Sequence, residues 1–497
     1  MNNDKDKNID IEAIKSVLEG KSVSSDEYGL AVDWKSGLLD TLKAILGPNG
    51  WVCATESDLY INDITGQGAP CIIVARPGST EEVAQTVKAC AKAGVAIVPQ
   101  GGNSNVCKMA VPLDGQEVVI MSLMRMNKII CIDASASTAS VEAGVLMQTL
   151  QEAAIANDRI FAPDWGARGT ASVGGAVATN GGGLNVLRYG TTREQVLGME
   201  VVLPDGAVWN GMRSLIKDNS GYDLKHLFIG SEGTLGIITK LVFKLHPHQP
   251  VTQSMMAVLS EMSRLTDFFS MAQNIGGERL IAFELLPGLG VEKALARYPD
   301  LQRPLETRAE WYLLVRFAGQ SSVEESLMQL FERGFDEKIL SDAILSKSIA
   351  QEQNLWGIRE QMIPHQYFER AMLKWDVSVP THRIIDFLLQ AKAEILAIEP
   401  DAICYAVGHV GDGNIHYSAF PPDSATSDIH QQVYDVIDKL IWSMDGSIVA
   451  EHGVGSIFVD RVRNQKSAIE YALMQTVKNS FDPQGTMNPG KLLHQHH

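Results

Sequence analysis

The sequence predicts an α+β protein built from two or three domains. Three observations carry this. The chain has 497 residues, too many for a single hydrophobic core. A strand–helix–strand rhythm begins near residue 71. After the segment HPHQP (246–250) the texture changes, and longer helical patterns alternate with strands.

In chain order, residues 10 to 50 read as helical and polar and close at the GPNG turn of 47–50. Cys71 to Ala75 is an apolar strand, broken by Arg76-Pro77-Gly78. Ser79 or Thr80 then caps a helix whose first turn carries Glu81 and Glu82. Val83, Val87 and Ala91 give it one buried face, and Gly94 ends it. Val95 to Pro99 is the next strand. The Met-rich stretch from Ile120 to Ile130 reads as core filling. Beyond 250, Ser322 to Arg333 and Arg383 to Ala397 read as helices and Glu310 to Phe317 as a strand. The expected divisions are an N-terminal helical segment (1–50), a cofactor domain (51–248), a substrate and metal domain (249–450) and a C-terminal segment (451–497).

Composition narrows the partners. The net charge is −17 with no Lys/Arg-rich run, which disfavours nucleic acid and anionic membrane. No stretch approaches the roughly 20 apolar residues of a membrane helix. The polar N-terminus has neither the apolar centre of a signal peptide nor the pattern of a transit peptide. A cytoplasmic protein is expected, with a homodimer left open. The six scattered cysteines contain no CxxC and read as free thiols.

Gly is concentrated in three segments: PQGGNS (99–104), TASVGGAVATNGGG (170–183) and GSEGTLG (230–236). Small residues with free backbone N–H groups can form an anion-binding nest. One such loop is most simply a tight turn; three within one domain suggest a pyrophosphate. None is a GxGxxG between a strand and its helix, nor a P-loop.

A second constellation lies in the other half. VGHVGDGNIH (407–416) places His409 and His416 on either side of a turn between apolar runs. A hairpin there can bring both imidazoles to one face. Some 35 residues on, AEHGVG (450–455) adds Glu451 and His452. Two His and a carboxylate with an open position are a ligand set of catalytic-zinc type. On spacing alone, structural histidines remain the competing reading.

Residues 50–248 resemble the FAD-binding domain of the vanillyl-alcohol oxidase / p-cresol methylhydroxylase superfamily. The Gly-rich segments carry this, together with KDNSGYDL (217–224) and FIGSEGTLGIIT (228–239). The resemblance implies a two-part FAD-binding domain followed by an α+β substrate domain with an antiparallel sheet. It implies that Gly101, Gly102, Asn103 and Ser104, with Ser172, Val173, Gly174 and Gly175, hold the FAD diphosphate. Gly233, Gly236 and Ile237 would line the adenine and ribose side. Pro99, Pro163, Gly166, Thr170, Asn180, Gly181, Gly182 and Glu232 complete the implied cofactor set. Some members link flavin through His or Cys; residues 101–105 read GGNSN, so non-covalent FAD is expected.

The motifs at 407–416 and 450–455, with FDPQGTMNPGKLL (481–493), are similar to the C-terminal domain of FAD-linked 2-hydroxyacid dehydrogenases. This is the D-2-hydroxyglutarate, D-lactate and glycolate group. The resemblance implies that His409, His416 and Glu451 bind a divalent metal and that His452 is the base. It returns Asn488 and Lys491 to the flavin. It makes Arg359 in LWGIRE (355–360) and Lys374 in LKWDVSVP (373–380) the substrate-binding cations. Two departures concern the substrate tail. Ile363 stands where the hydroxyglutarate enzymes usually have Thr, and Ser418 where they usually have Asn.

The implied reaction is FAD-dependent, metal-assisted oxidation of a D-2-hydroxy acid to the 2-keto acid, of D-2-hydroxyglutarate or D-lactate type. Zn²⁺ suits the ligands best, with Mn²⁺, Fe²⁺ and Co²⁺ also compatible. The electron acceptor is unspecified: an electron-transfer flavoprotein, a quinone or a dye-like acceptor would each serve. Three rivals stand beside this reading: a metal-free alcohol oxidase or dehydrogenase of the same superfamily, a metallohydrolase, and an inert flavin binder.

Overall fold

The computed structural model describes residues 31–63, 66 and 68–494. The expected helical stretch before residue 31, and the last three residues of the expected solvated tail, lie outside the described residues. The helix Ala31–Leu46 stops at Gly47, whose φ of +67° and N–H bond to the Lys43 carbonyl make a left-handed cap.

A four-stranded sheet follows, formed by β1 (Trp51–Cys53), β2 (Ile73–Ala75), β3 (Ala96–Gln100) and β4 (Val118–Ser122). Its order is β1-β2-β4-β3, with β2, β4 and β3 mutually parallel. The connection between β2 and β3 is the helix Thr80–Ala93. Ser79 caps it, the hydroxyl accepting from Glu82 N, and Gly94 ends it at φ +67°. Val83 and Val87 are wholly buried on its inner face. Met121 and Met126 are fully buried in the same core, as expected of filling residues, whereas Met124 is half-buried and Ile130 is exposed.

The second sheet is antiparallel. Its members are β5 (Ile129–Asp133), β6 (Thr138–Glu142) and, after a short β7 (Arg159–Ile160), β8 (Val196–Val202), β9 (Val208–Gly211) and β10 (Ile237–Lys244). The order is β5-β6-β10-β8-β9. The pair β7 and β11 (His246–Pro247) closes this half of the chain.

The third sheet has seven strands, antiparallel at every pairing. They are β12 (Val251–Leu259), β13 (Leu280–Pro287), β14 (Trp311–Gly319), β15 (Leu340–Leu345), β16 (Leu373–Ser378), β17 (Ile403–His409) and β18 (Asn414–Phe420). The order is β15-β12-β14-β13-β17-β18-β16. One face packs on the helices Leu265–Gly276, Glu324–Asp336, Ile384–Ile398 and Ser427–Ser443 to form the largest core. Among the described residues no helix is long and apolar enough to cross a membrane.

The end of the chain returns to the first sheet. Ile97 on the edge strand β3 donates to the Thr486 carbonyl and accepts from Asn488 N, each at 2.8 Å. That covers an otherwise unpaired edge. Asp482 holds the turn, accepting from Thr486 N and Met487 N.

Glu232 binds the chain end more tightly still. It lies at φ +55°, buried, between the second sheet and the 451–455 loop. Its two oxygens accept from Val454 N at 2.7 Å and Gly455 N at 2.8 Å. Asn488 Nδ2 donates to its carbonyl at 2.7 Å. Burial lifts the Glu232 carboxyl to about 7 against the pull of those two N–H groups. Glu232→Ala strands two buried donors, each costing about 1–3 kcal/mol. It should destabilise the protein by roughly 3 kcal/mol and open residues 451–455 to limited proteolysis. A urea midpoint and cleavage pattern equal to wild type would refute this latch.

Candidate active site

The register of the third sheet builds the site. Side chains alternate faces along a strand, and opposed residues on paired strands share a face. Glu284 on β13 lies opposite His409 on β17. Asp376 on β16 lies opposite His416 on β18, and Lys374 lies opposite Ser418. Between β17 and β18, His409 pairs with Asn414 and Val407 with His416. The hairpin therefore sets both imidazoles on one face, their ring centroids 5.4 Å apart and edge-on. Gly413 turns it at φ +81° with the Val379 carbonyl close by, a place no side chain could occupy.

Two buried carboxylates orient the rings. Glu284 Oε1 is 2.6 Å from His409 Nδ1, and Glu284 Oε2 accepts from Arg359 Nε at 2.6 Å. Asp376 Oδ1 is 3.3 Å from His416 Nδ1, and Oδ2 is 3.5 Å from His452 Nδ1. Asp376 Oδ2 also accepts from the backbone N–H groups of Glu451 and His452, each at 2.8 Å, and Oδ1 from Asn414 Nδ2 at 2.9 Å. This brings the loop after Val449 onto the sheet, with the His416 and His452 rings stacked at 5.4 Å. Glu451 Oε2 accepts from Gly183 N at 2.8 Å, across from the second Gly-rich segment. Its Oε1 is left 3.5 Å from His416 Nε2 and 3.7 Å from His452 Nε2.

The donor set suits a divalent cation. Asp376, His416, Glu451 and His452 each present a ligand atom within 4.8 Å of the others. Asp376 is filled by the donors just named, so His416 Nε2, Glu451 Oε1 and the His452 imidazole are the groups available in this set; His409, expected as a ligand, lies outside it and beside His416, the two ring centroids 5.4 Å apart. A ring nitrogen backed by a carboxylate is the usual arrangement behind a metal-ligating imidazole. Burial acts against charge on His409, but the adjoining Glu284 carboxylate outweighs it and raises the ring to about 9. The same pair, with Arg359, overcomes burial at Glu284 and lowers it to about 2. Burial likewise works against charge on Asp376, but His452, His416 and the Glu451 N–H hold it well below the usual carboxylate range.

A cavity of about 710 Å³ runs from this cluster between the Gly-rich segments. Its wall includes Pro99, Gly101, Gly102, Asn103 and Ser104, then Gly166, Ser172, Gly174, Gly175, Gly181 and Gly182, then Glu232, Gly233, Gly236 and Ile237. Arg359, His409, His416, Glu451 and His452 close one end. A side cavity of about 300 Å³ continues past Arg359, His416 and His452 to Lys374, Ile363, Ser418, Met362, Met372 and Val407.

Other expected residues stand behind that wall. Asn180 ends the helix Val173–Thr179 at φ +53°, its side chain accepting from Thr191 Oγ1 and Arg193 N. Val173 is core, Thr170 is exposed with its carbonyl oxygen against Gly102, the Pro163 carbonyl accepts from Gln151 Nε2, and Asn488 is occupied by Met109 and Glu232 carbonyls. Lys491 Nζ donates to the Val111 carbonyl, and burial lowers it to about 7. Glu284 and Asp376 were missed by the motifs. The available signal was a single acid in each apolar strand, since a fully buried carboxylate requires partners.

The Gly-rich wall fits a dinucleotide. Gly102 leaves no room for a side chain: a Cβ there would sit 1.7 Å from the Thr170 carbonyl oxygen. Asn103 takes φ +50°, which helps successive N–H groups converge. Among the described residues Gly102, Asn103 and Ser104 donate no backbone–backbone hydrogen bond, and the buried Asn103 Oδ1 has no partner. These groups are available to a ligand.

Comparison with known proteins agrees. Residues 71–211 match the FAD binding domain and 248–492 the C-terminal domain of FAD linked oxidases. A D-2-hydroxyglutarate dehydrogenase of Xanthomonas citri is 35% identical over 443 residues, covering 88% of this chain and 92% of that one. The mitochondrial D-2-hydroxyglutarate dehydrogenase of Danio rerio is 34% identical over 97% of this chain and 85% of that one. A D-2-hydroxyglutarate–pyruvate transhydrogenase of Saccharomyces cerevisiae is 32% identical over 85% of this chain and 86% of that one. Among solved structures, substrate-bound p-cresol methylhydroxylase superposes with TM-score 0.73 at 17% identity, over 94% of this chain and 98% of that one. Alkyldihydroxyacetonephosphate synthase gives 0.70 at 17%, over 91% and 85%. The fold is that of the vanillyl-alcohol oxidase / p-cresol methylhydroxylase flavoproteins, and the protein is an FAD-dependent oxidoreductase acting on CH–OH groups. The chain belongs to the FAD-linked oxidase family, among relatives named D-2-hydroxyglutarate dehydrogenase.

Two predictions follow from this geometry. Gly102→Ala must displace the 101–104 loop, so the Kd for FAD should rise by about tenfold, equivalent to ~1.4 kcal/mol, and flavin should be lost on gel filtration. Unchanged flavin content would remove that loop from the cofactor site. In metal-free protein, the folded pKa of His409 lies above its ordinary 6.5. Its pairing with Glu284 is therefore fully stabilising below 6.5 and lost as pH rises to about 9. Stability should decline across that window in wild type, with a flatter profile in His409→Gln. Equal slopes would show that the pair contributes nothing.

Proposed function

We propose that the protein oxidises a D-2-hydroxy acid, foremost D-2-hydroxyglutarate, to the 2-keto acid, using non-covalent FAD and a divalent metal held by His409, His416 and Glu451. The observation that carries this is the meeting of the Gly-rich cofactor wall and the imidazole–carboxylate cluster in one cavity, with Arg359 between cluster and side cavity. Bound FAD supplies the two-electron acceptor for the C2 hydrogen, and a bound Zn²⁺ or similar ion supplies Lewis acidity toward the 2-hydroxyl.

The chain's own groups do the rest. His452 is the base for the hydroxyl proton. Its Nδ1 lies 3.5 Å from Asp376 Oδ2, which leaves Nε2 for that proton. Arg359 uses Nε on Glu284, leaving both Nη groups for the carboxylate beside C2, a bidentate hold that Lys cannot give. Lys374 faces the side cavity, and among the described residues its ammonium makes one long hydrogen bond, 3.4 Å, to the Val106 carbonyl. A cation so lightly held in a mostly apolar recess suits a distal carboxylate. Ile363 and Ser418 line the same recess, so shorter or less polar tails are also accommodated. The relatives named D-2-hydroxyglutarate dehydrogenase favour hydroxyglutarate.

Purified protein should be yellow, be bleached by D-2-hydroxyglutarate, and release its flavin to the supernatant on acid precipitation. Colour that stays with the pellet would refute non-covalent attachment. Metal removal should abolish turnover while FAD stays bound; full activity after verified removal would exclude the metal. Losing a hydrogen-bonded substrate contact costs about 10- to 1000-fold. Arg359→Ala should therefore depress kcat/KM for D-2-hydroxyglutarate and D-lactate alike, and Lys374→Ala for D-2-hydroxyglutarate alone. The reverse pattern would invert the substrate's orientation.

A further inference from the structure

Glu284 touches both halves of the reacting end. It sits within β13, where every residue is buried, and has 1% of its surface exposed. Strand register places it opposite His409. Its two oxygens are divided, one to His409 Nδ1 and one to Arg359 Nε, each at 2.6 Å. Arg359 comes from a separate element, the last turn of the helix Ile349–Glu360. One rigid carboxylate plane thus fixes an imidazole and a guanidinium that no other hydrogen bond among the described residues joins. With Nδ1 used, His409 offers Nε2; with Nε used, Arg359 offers Nη1 and Nη2.

We infer that Glu284 is a positioning residue that holds the His409 ring and the Arg359 clamp in fixed relation, so that metal and the substrate's carboxylate bind cooperatively. The inference rests on the metal and clamp assignments proposed above. A 2-hydroxy acid presents its hydroxyl and carboxylate oxygens as a chelating pair. Its carboxylate meets Arg359 only if ligand and clamp stay aligned. By linkage, metal raises the affinity for such an anion by the same factor as the anion raises the affinity for metal. Direct chelation gives part of that coupling, and Glu284 adds to it by removing the independent motion of the two groups.

The test uses FAD-loaded, metal-stripped protein with Zn²⁺ as metal and oxalate as a two-carbon chelating anion. Affinities are read by calorimetry for each ligand with and without the other. Wild type should show positive coupling. Arg359→Ala should lose oxalate and keep Zn²⁺. Glu284→Gln should weaken Zn²⁺ by about 10- to 100-fold, the usual effect of losing such a supporting carboxylate. It should also weaken oxalate at saturating Zn²⁺ by about tenfold and reduce the coupling below wild type. Glu284→Asp keeps the charge but is one methylene shorter; it should restore part of the Zn²⁺ affinity and leave the coupling reduced. Coupling equal to wild type in Glu284→Gln overturns the proposal. So do losses that merely track lost FAD or folded fraction. If Glu284→Gln yields no FAD-loaded protein, Glu284→Asp decides on the same readouts, and wild-type coupling there overturns the proposal. Absence of Zn²⁺ binding in wild type overturns the underlying metal reading and this inference with it, a result distinct from intact binding without coupling.

Discussion

A carboxylate buried in a sheet cannot stay ionised unless its oxygens are filled, and Asp376 shows how the centre is organised by that demand. Two backbone N–H groups, an amide and two imidazoles converge on it. Leaving such a charge unpaired would cost several kcal/mol. Satisfying it pulls the loop carrying Glu451 and His452 against β16 and turns His416 and His452 to a common direction. The charge-balancing network and the catalytic arrangement are therefore one object. Glu284 repeats the device on β13, with β17 and β18 lying between.

The same loop joins the two halves of the chain. Glu451 reaches Gly183 with one oxygen and faces the imidazoles with the other. Glu232 holds Val454 and Gly455 from the other side. Gly182 must be small because a Cβ there would lie 2.9 Å from Glu451 Oε2. A segment of five residues is fastened to the sheet, to the cofactor wall and to the Glu232 turn. Hence the end of the cavity beside the imidazoles is defined by hydrogen bonds from backbone N–H groups to buried carboxylates.

Much of this was legible in the sequence. Ser79, Gly94 and the Val83/Val87 spacing specified one helix, because caps and periodicity act locally. The HVGDGNIH turn specified a hairpin with two imidazoles on one face. The Gly-rich segments and the family resemblance indicated FAD and the antiparallel substrate domain, and the comparisons support both. The boundaries of helices and strands shifted by one to three residues, the helix expected to end at Arg333 running to Asp336.

What the sequence by itself determined was chemistry that sits in short contiguous runs: turns, caps, the Gly-rich wall and the His, Glu and Arg inventory. The tertiary structure alone decided which of these meet. Glu284 and His409 are 125 positions apart, and Asp376 reaches Glu451 across 75. It also placed Asn488 and Lys491 behind the cavity wall and gave Lys374 its side recess. The physical reason is register. A strand's pairing partner is chosen by the burial of the whole sheet, and a slip of one residue would send every side chain to the opposite face.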